Sequence, residues 1–345
     1  MPELKEVFEM VTKQTEPDLD SWREQEERQR RVARNRRVGA IALVAAIVAA
    51  LAIFALNGRE NGSREVGTNP TEPPSVPIGA QIIGLDGTVR ERIPGMPAGA
   101  SGLKVSPDGR TIAFMTIDGR VATIRRDGSG LQNLTGDTAN SGGDAQEAVS
   151  WSPDGAQIAY VANDDIYVRD ADGSNMLRLT DDPAGEFFPA WSSQGMIAYW
   201  HGATSGEDGG PTNAEIYTIP ATGGIPTRLT RNGTPDIEPT WSPDGERIAY
   251  FSTDRSEIWV MNADGSDQRR LFGSKENEGW APAWSPDGAH IAFLHCCSSD
   301  PYATVLEVRV LDLTTGTVRR LHVNVATDLN GASWSSSEAL LINRY

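Results

Sequence analysis

Trp241-Ser242-Pro243-Asp244-Gly245-Glu246-Arg247-Ile248-Ala249-Tyr250 is where the architecture of this chain becomes readable. The first half is a tight turn. Proline presets φ at the second turn position, aspartate bonds its own backbone, and glycine accepts the left-handed conformation that follows. The second half is an apolar run with the branched and aromatic residues that strands favour. The same turn recurs as Trp151-Ser152-Pro153-Asp154-Gly155 and Trp284-Ser285-Pro286-Asp287-Gly288, and a copy headed by valine runs from Val105 to Gly109. Eroded copies begin at Trp191 and Trp334. Successive copies lie 40 to 50 residues apart, a spacing typical of propeller blades. One such unit cannot bury its own apolar face, so the copies must stack on each other.

Working outward, each turn leads into an apolar strand such as Ile112-Ala113-Phe114 or Ile291-Ala292-Phe293. A third strand follows, as in Ile166-Tyr167-Val168 and Ile258-Trp259-Val260. A Gly-containing turn comes next, and each unit closes on a segment such as Arg178-Leu179-Thr180 or Arg228-Leu229-Thr230. Four short strands per unit is the expected content. The last unit has only Ser333-Trp334 and Leu340-Leu341-Ile342 before the sequence stops. Its outer pair is supplied by Gln81-Ile82-Ile83 and Val89-Arg90-Glu91-Arg92-Ile93 near the front. This predicts an all-β, six-bladed propeller over 79–345, closed by pairing its N- and C-terminal strands, which removes exposed sheet edges.

The repeat Pro-x-Trp-Ser-Pro-Asp-Gly-x-x-Ile-Ala-Tyr, followed by Ile-Trp-Val-Met-Asn-Ala-Asp-Gly-Ser and Arg-Leu, matches Glu238 to Leu271 almost position for position. It resembles the β-propeller repeats of TolB-type proteins. Similar repeats occur in propeller domains of prolyl-oligopeptidase-like enzymes and in oligogalacturonate-lyase-like proteins. The resemblance implies the fold and does not choose among those functions.

Val38 to Leu56 is an uninterrupted apolar run. As a helix it would extend about 28 Å, close to the hydrocarbon thickness of a bilayer. Arg28, Arg30, Arg31, Arg34, Arg36 and Arg37 precede it with no acid among them. Positive charge of that density stays cytoplasmic, so an uncleaved signal anchor is expected, with the propeller outside. Residues 1–37 read as a short helical leader, because Leu4, Val7, Phe8 and Val11 fall at helical spacing. Residues 57–78, rich in Gly and Pro without an apolar period, read as a tether.

The chain carries a formal net charge of −16. The leader balances nine acids with nine bases, so the deficit belongs to the exported part. A strongly acidic propeller argues against a nucleic-acid partner and favours solubility or cationic partners. Asp170-Ala171-Asp172-Gly173 looks like the start of a calcium loop, but it lacks the downstream glutamate and recurs as a turn elsewhere, so a hairpin is expected. His295, Cys296 and Cys297 lack the spaced pairs of a zinc site. No G-x-S-x-G elbow occurs, and His201, His290, His295 and His322 show no paired spacing. No catalytic residue, metal or other cofactor is assigned.

In a four-stranded meander the Ser-Pro-Asp-Gly and Asp-Gly hairpins share one face of the ring. Connections between second and third strands, and between blades, share the other. The segments leading into the innermost strands open on that second face. They place Glu147, Glu186, Phe187, Phe188, Asp236, Glu238, Glu278 and Trp280 around the central channel. The expectation is an acidic, aromatic channel mouth that binds an envelope protein or peptide, cationic segments included, on a non-catalytic scaffold. Two other readings stand beside it: a transmembrane sensor or regulator with a cytosolic docking helix, and a glycan-acting, lyase-like enzyme.

Overall fold

The computed structural model describes residues 79–135, 149–203, 212–273, 279–296, 306–321 and 332–344. The leader, the apolar run and the tether lie outside the described residues. Among the described residues, no helix is long and apolar enough to cross a membrane.

These residues form six four-stranded antiparallel sheets. The first blade contains β3 (Ser101–Val105), β4 (Thr111–Met115), β5 (Val121–Arg125) and β6 (Gln132–Asn133). The second contains β7 (Ser150–Trp151), β8 (Gln157–Ala162), β9 (Asp165–Asp170) and β10 (Leu177–Arg178). The third contains β11 (Gly185–Trp191), β12 (Met196–Ala203), β13 (Thr212–Pro220) and β14 (Thr227–Arg228). The fourth contains β15 (Asp236–Trp241), β16 (Arg247–Ser252), β17 (Glu257–Asn262) and β18 (Arg269–Gly273). The fifth contains β19 (Trp280–Trp284), β20 (His290–Cys296), β21 (Leu306–Asp312) and β22 (Val318–Leu321). The sixth has the order β2-β1-β24-β23, joining β1 (Gly79–Gly84) and β2 (Val89–Arg92) to β23 (Ala332–Ser336) and β24 (Ala339–Arg344). The two ends of the propeller therefore share one sheet, as the sequence predicted.

The repeated turn has one wiring in each intact copy. The serine hydroxyl donates to the aspartate Oδ1 at 2.5–2.6 Å in Ser106/Asp108, Ser152/Asp154, Ser242/Asp244 and Ser285/Asp287. The backbone N–H two residues after the aspartate donates to the same oxygen at 3.0 Å. The serine bonds, followed by these N–H bonds, hold all four carboxyls below the usual range. These acids are therefore committed to the scaffold. The Asp170–Gly173 segment is likewise a hairpin, with Gly173 N–H donating to Asp170 O and Ser174 N–H to Asp172 Oδ1.

The tryptophan ahead of the turn links neighbouring blades. Trp151 Nε1 donates to Lys104 O at 3.0 Å, Trp241 Nε1 to Ala190 O at 3.0 Å, and Trp334 Nε1 to Ala283 O at 2.8 Å. Each acceptor lies on the innermost strand of the preceding blade. Trp241→Phe keeps the buried ring but deletes this bond and strands the Ala190 carbonyl. The expected loss is about 1–2 kcal/mol, read as a lower midpoint in urea unfolding with unchanged slope.

Packing follows the strand alternation. Ile112, Ile158, Ile197, Ile248 and Ile291, one per blade just after the turn, are fully buried. So are Ala113, Ala159, Ala198, Ala249 and Ala292, where a larger residue would crowd the neighbouring sheet.

Candidate functional site

On the face opposite the Ser-Pro-Asp-Gly turns, a carboxylate opens the third strand of blades two to five and pairs with an arginine thirteen residues later. The pairs are Asp165–Arg178 at 2.7 Å, Glu215–Arg228 at 2.6 Å, Glu257–Arg270 at 3.0 Å, and Glu307–Arg320. A threonine after the arginine caps the same strand, as Ile166 N–H donates to Thr180 Oγ1 and Ile216 N–H to Thr230 Oγ1. These acids tie the third strand of each blade to its outermost strand and serve the blades.

The innermost strands carry a shared irregularity. Their pairing with the second strand breaks between Ser101 and Lys104, Phe187 and Ala190, Ile237 and Thr240, and Trp280 and Ala283. At each break one residue sits at positive φ: Gly102 at 61°, Phe188 at 54°, Glu238 at 54° and Ala281 at 50°. These are β-bulges, which bend a strand and re-aim a side chain. Left-handed backbone at a non-glycine residue costs of order 1 kcal/mol or more and gathers at functional sites. Proline follows three of them, as Pro189, Pro239 and Pro282, where a missing N–H costs the ladder nothing.

The bulge residues Phe188 and Glu238 are both half-buried, and Phe188 packs against the core shared by blades two to four. Glu238 Oε2 accepts the N–H of Ala281, the bulge residue of the next blade, at 2.7 Å. Burial pushes the Glu238 carboxyl up to about 7, opposed by that bond and by the charge of Lys104. Lys104 comes from blade one, three blades away, and burial lowers its pKa against the pull of Glu238. No ion pair joins the two among the described residues. Lys104 also lines a cavity of about 240 Å³ with Thr240, Ala283 and Ser333. Innermost strands of four blades meet there, so this cavity is the axis of the ring on its turn face.

The other mouth residues are more deeply placed than the sequence suggested. Glu186 is 1% exposed, with its Oε2 accepting from Thr180 Oγ1 at 3.0 Å and its Oε1 lying 3.1 Å from His201 Nδ1. Burial raises its pKa, and the His201 and Thr180 bonds oppose the rise. The same contact with Glu186 raises His201, against desolvation. Asp236 is fully buried, and burial pushes it up to about 6 despite hydrogen bonds from Ser252 and Asn232. The Asn232 amide donates to Asp236 Oδ2 at 2.8 Å.

Two expectations are corrected by this placement. Phe187 does not face the channel; it is buried and stacks on Trp200 with centroids 4.4 Å apart, inside the core of its blade. Glu186 and Asp236 are buried, hydrogen-bonded groups rather than solvated rim acids. Trp280 is half-buried against the core shared by blades five and six. Glu147 and Glu278 lie outside the described residues.

Residues 129–193 match the family described as Dipeptidyl peptidase IV (DPP IV) N-terminal region. The Tol-Pal system protein TolB of Thioalkalivibrio sulfidiphilus is 36% identical over 66 residues, which are 19% of this chain and 15% of that protein. Among solved structures, a putative TolB from Agrobacterium tumefaciens superposes with a TM-score of 0.59 at 20% identity, covering 78% of this chain and 99% of that one. The chain is a six-bladed β-propeller whose fold is similar to that of TolB. An oligogalacturonate lyase in complex with manganese also superposes, with a TM-score of 0.53 at 14% identity over 77% of this chain and 75% of that one. At such identities the likeness shows the fold alone. The TolB-like ring fixes where loops can act and leaves the chemistry to this chain's own side chains.

Proposed function

We propose that this TolB-like propeller is a non-catalytic scaffold of the cell envelope that binds a protein or peptide segment at its channel mouth. Residues 38–56 would anchor it in the membrane with the N-terminus cytoplasmic and the propeller outside. The observation that carries the reading is the shared set of bulges, which holds Phe188 and Glu238 in a left-handed conformation the strands alone would not adopt. A poorly solvated carboxylate on one bulge and a half-buried aromatic on the bulge of the preceding blade suit an extended segment with a basic side chain. The arginine-flanked apolar run of the sequence supports the membrane setting.

A photo-crosslinking residue at position 188 of the full-length chain, expressed in membranes, tests the site. Discrete adducts with an envelope protein are expected from position 188 and none from position 154 on the turn face. Equal labelling from both, or none from 188, removes the assignment. Depletion of an oligosaccharide by the purified chain would favour the lyase-like reading instead.

Charge at Glu238 gives a second check. A lysine-containing ligand prefers the ionised carboxylate, so affinity should fall as pH drops through about 7. Glu238→Gln should bind about tenfold more weakly at pH 8 and lose this pH dependence. A pH-independent ligand affinity in the unsubstituted chain would separate Glu238 from binding.

A further inference from the structure

We propose that Asp182, Glu186 and His201 form a binding site for a divalent transition-metal ion, distinct from the bulge ring and independent of the peptide reading. Asp182 lies in the connection from β10 to β11, Glu186 near the start of β11, and His201 near the end of β12. Glu186 and His201 are direct cross-strand partners. One ligand atom from each of the three lies within 4.8 Å of the others. The Glu186 Oε1 to His201 Nδ1 separation is 3.1 Å, and His201 Nε2 stands 3.9 Å from Asp182 Oδ1. An imidazole binds one ion through a single ring nitrogen, so exposed Asp182 must turn from Nε2 toward the nitrogen that Glu186 Oε1 faces, to within the roughly 3.0–3.4 Å that separates two ligands each about 2.1 Å from one ion.

The surroundings favour a cation. Asp165, Asp181, Asp182 and Glu186 bring four carboxylates together. Arg178 is shared between Asp165 and Asp181, while nearby Arg228 is engaged by Glu215. Asp165 is 4% exposed, and its Oδ1 has no hydrogen-bond partner. Asp165 and Glu186 repel each other through this poorly solvated region. A buried acceptor without a donor, beside a cluster with surplus negative charge, is the electrostatic signature of a place that gains by taking up positive charge.

The ligand set narrows the ion. Calcium and magnesium prefer oxygen ligands throughout, whereas one imidazole with two carboxylates suits zinc, manganese, iron or cobalt, with water completing the shell. Two ligands are already held in place. Thr180 fixes Glu186, and Tyr217 meets the His201 ring edge-on with centroids 5.0 Å apart. Exposed Asp182 leaves the approach open.

Titrating the purified full-length chain with Co²⁺ at pH 7.5, followed by its visible absorption, tests the proposal. One saturable equivalent is expected, displaced by Zn²⁺, together with a metal-dependent rise in melting temperature. His201→Ala and Asp182→Asn should each weaken binding at least about tenfold, and Asp182→Asn keeps the exposed side-chain oxygen that accepts the Ala184 N–H. His290→Ala, on the opposite face, should bind as the unsubstituted chain does. Absence of saturable binding, or unchanged affinity in either the His201 or the Asp182 variant, overturns the site.

Discussion

Deleting residues 339–344 should abolish cooperative folding of the ring. Those residues are β24, which pairs with β1 from Gly79↔Arg344 to Gly84↔Ala339 and with β23 on its other edge. Without it, β1 and β2 have no sheet to join and the sixth blade cannot form. The loss reaches both neighbours. Leu340 and Ile342 pack with Ala292, Leu294 and Val308 of blade five, while Leu341 packs with Ile112 and Phe114 of blade one. All three are essentially fully buried. Burial of each contributes about 1.5–3 kcal/mol, and a domain has only about 5–15 kcal/mol of net stability. Circular dichroism should show a single sharp thermal transition for the full chain and a broad, shallow one for the deletion. A sharp transition surviving the deletion would mean that the blades hold together without closure.

Asp236→Asn should stabilise the propeller at pH 8 by on the order of 3 kcal/mol. The folded chain holds the carboxyl near 6, whereas its ordinary value is 3.8. Below about pH 4 the acid is protonated in both folded and unfolded chains, and it exerts no pH-dependent effect. As pH rises from about 4 to 6, the unfolded chain ionises first, so stability falls. Above about 6 both forms are ionised, and the folded state carries the full cost of a buried charge. An asparagine removes that cost and retains an oxygen for the Asn232 amide, while the Ser252 hydroxyl lies beside the new amide group. Thermal melts should show a gain of several degrees at pH 8 that shrinks towards pH 4. An equal gain at both pH values would trace the effect to packing instead of charge.

The blades were legible because their information is local. Proline, aspartate and glycine at fixed offsets specify a turn, and a turn specifies the hairpin that leaves it. The Ser152–Asp154 and Ser242–Asp244 bonds are the physical content of that signal. Ring closure was legible from the shortfall of strands after Trp334 matched by the surplus before Ser101. The bulges were not legible. The bulge residues Gly102, Phe188, Glu238 and Ala281 have nothing chemical in common, and the proline that follows three of them also fits an ordinary edge strand, so it does not single out a bulge. Phe187 and Phe188 were both expected in the channel because they enter the innermost strand together, and adjacent strand residues cannot both face the same way.

The pairing of Glu186 with His201 was recoverable. Reading the hairpin outward from the Ser192–Gly195 turn, with allowance for the bulge, brings the two opposite each other. Residue spacing alone hid the contact, because hairpin partners are related by their distance from the turn. The carboxylate–arginine pairs were also present as a thirteen-residue interval in four successive copies.

The four bulges separate shape from chemistry. One backbone conformation carries glycine, phenylalanine, glutamate and alanine at equivalent points of four blades, so the main chain does not dictate what stands there. A single codon change at any of these places can alter what the wall presents without rebuilding the ring. Preference for a ligand can therefore drift quickly on a framework that stays still, much as an antibody changes its loops while keeping its sandwich.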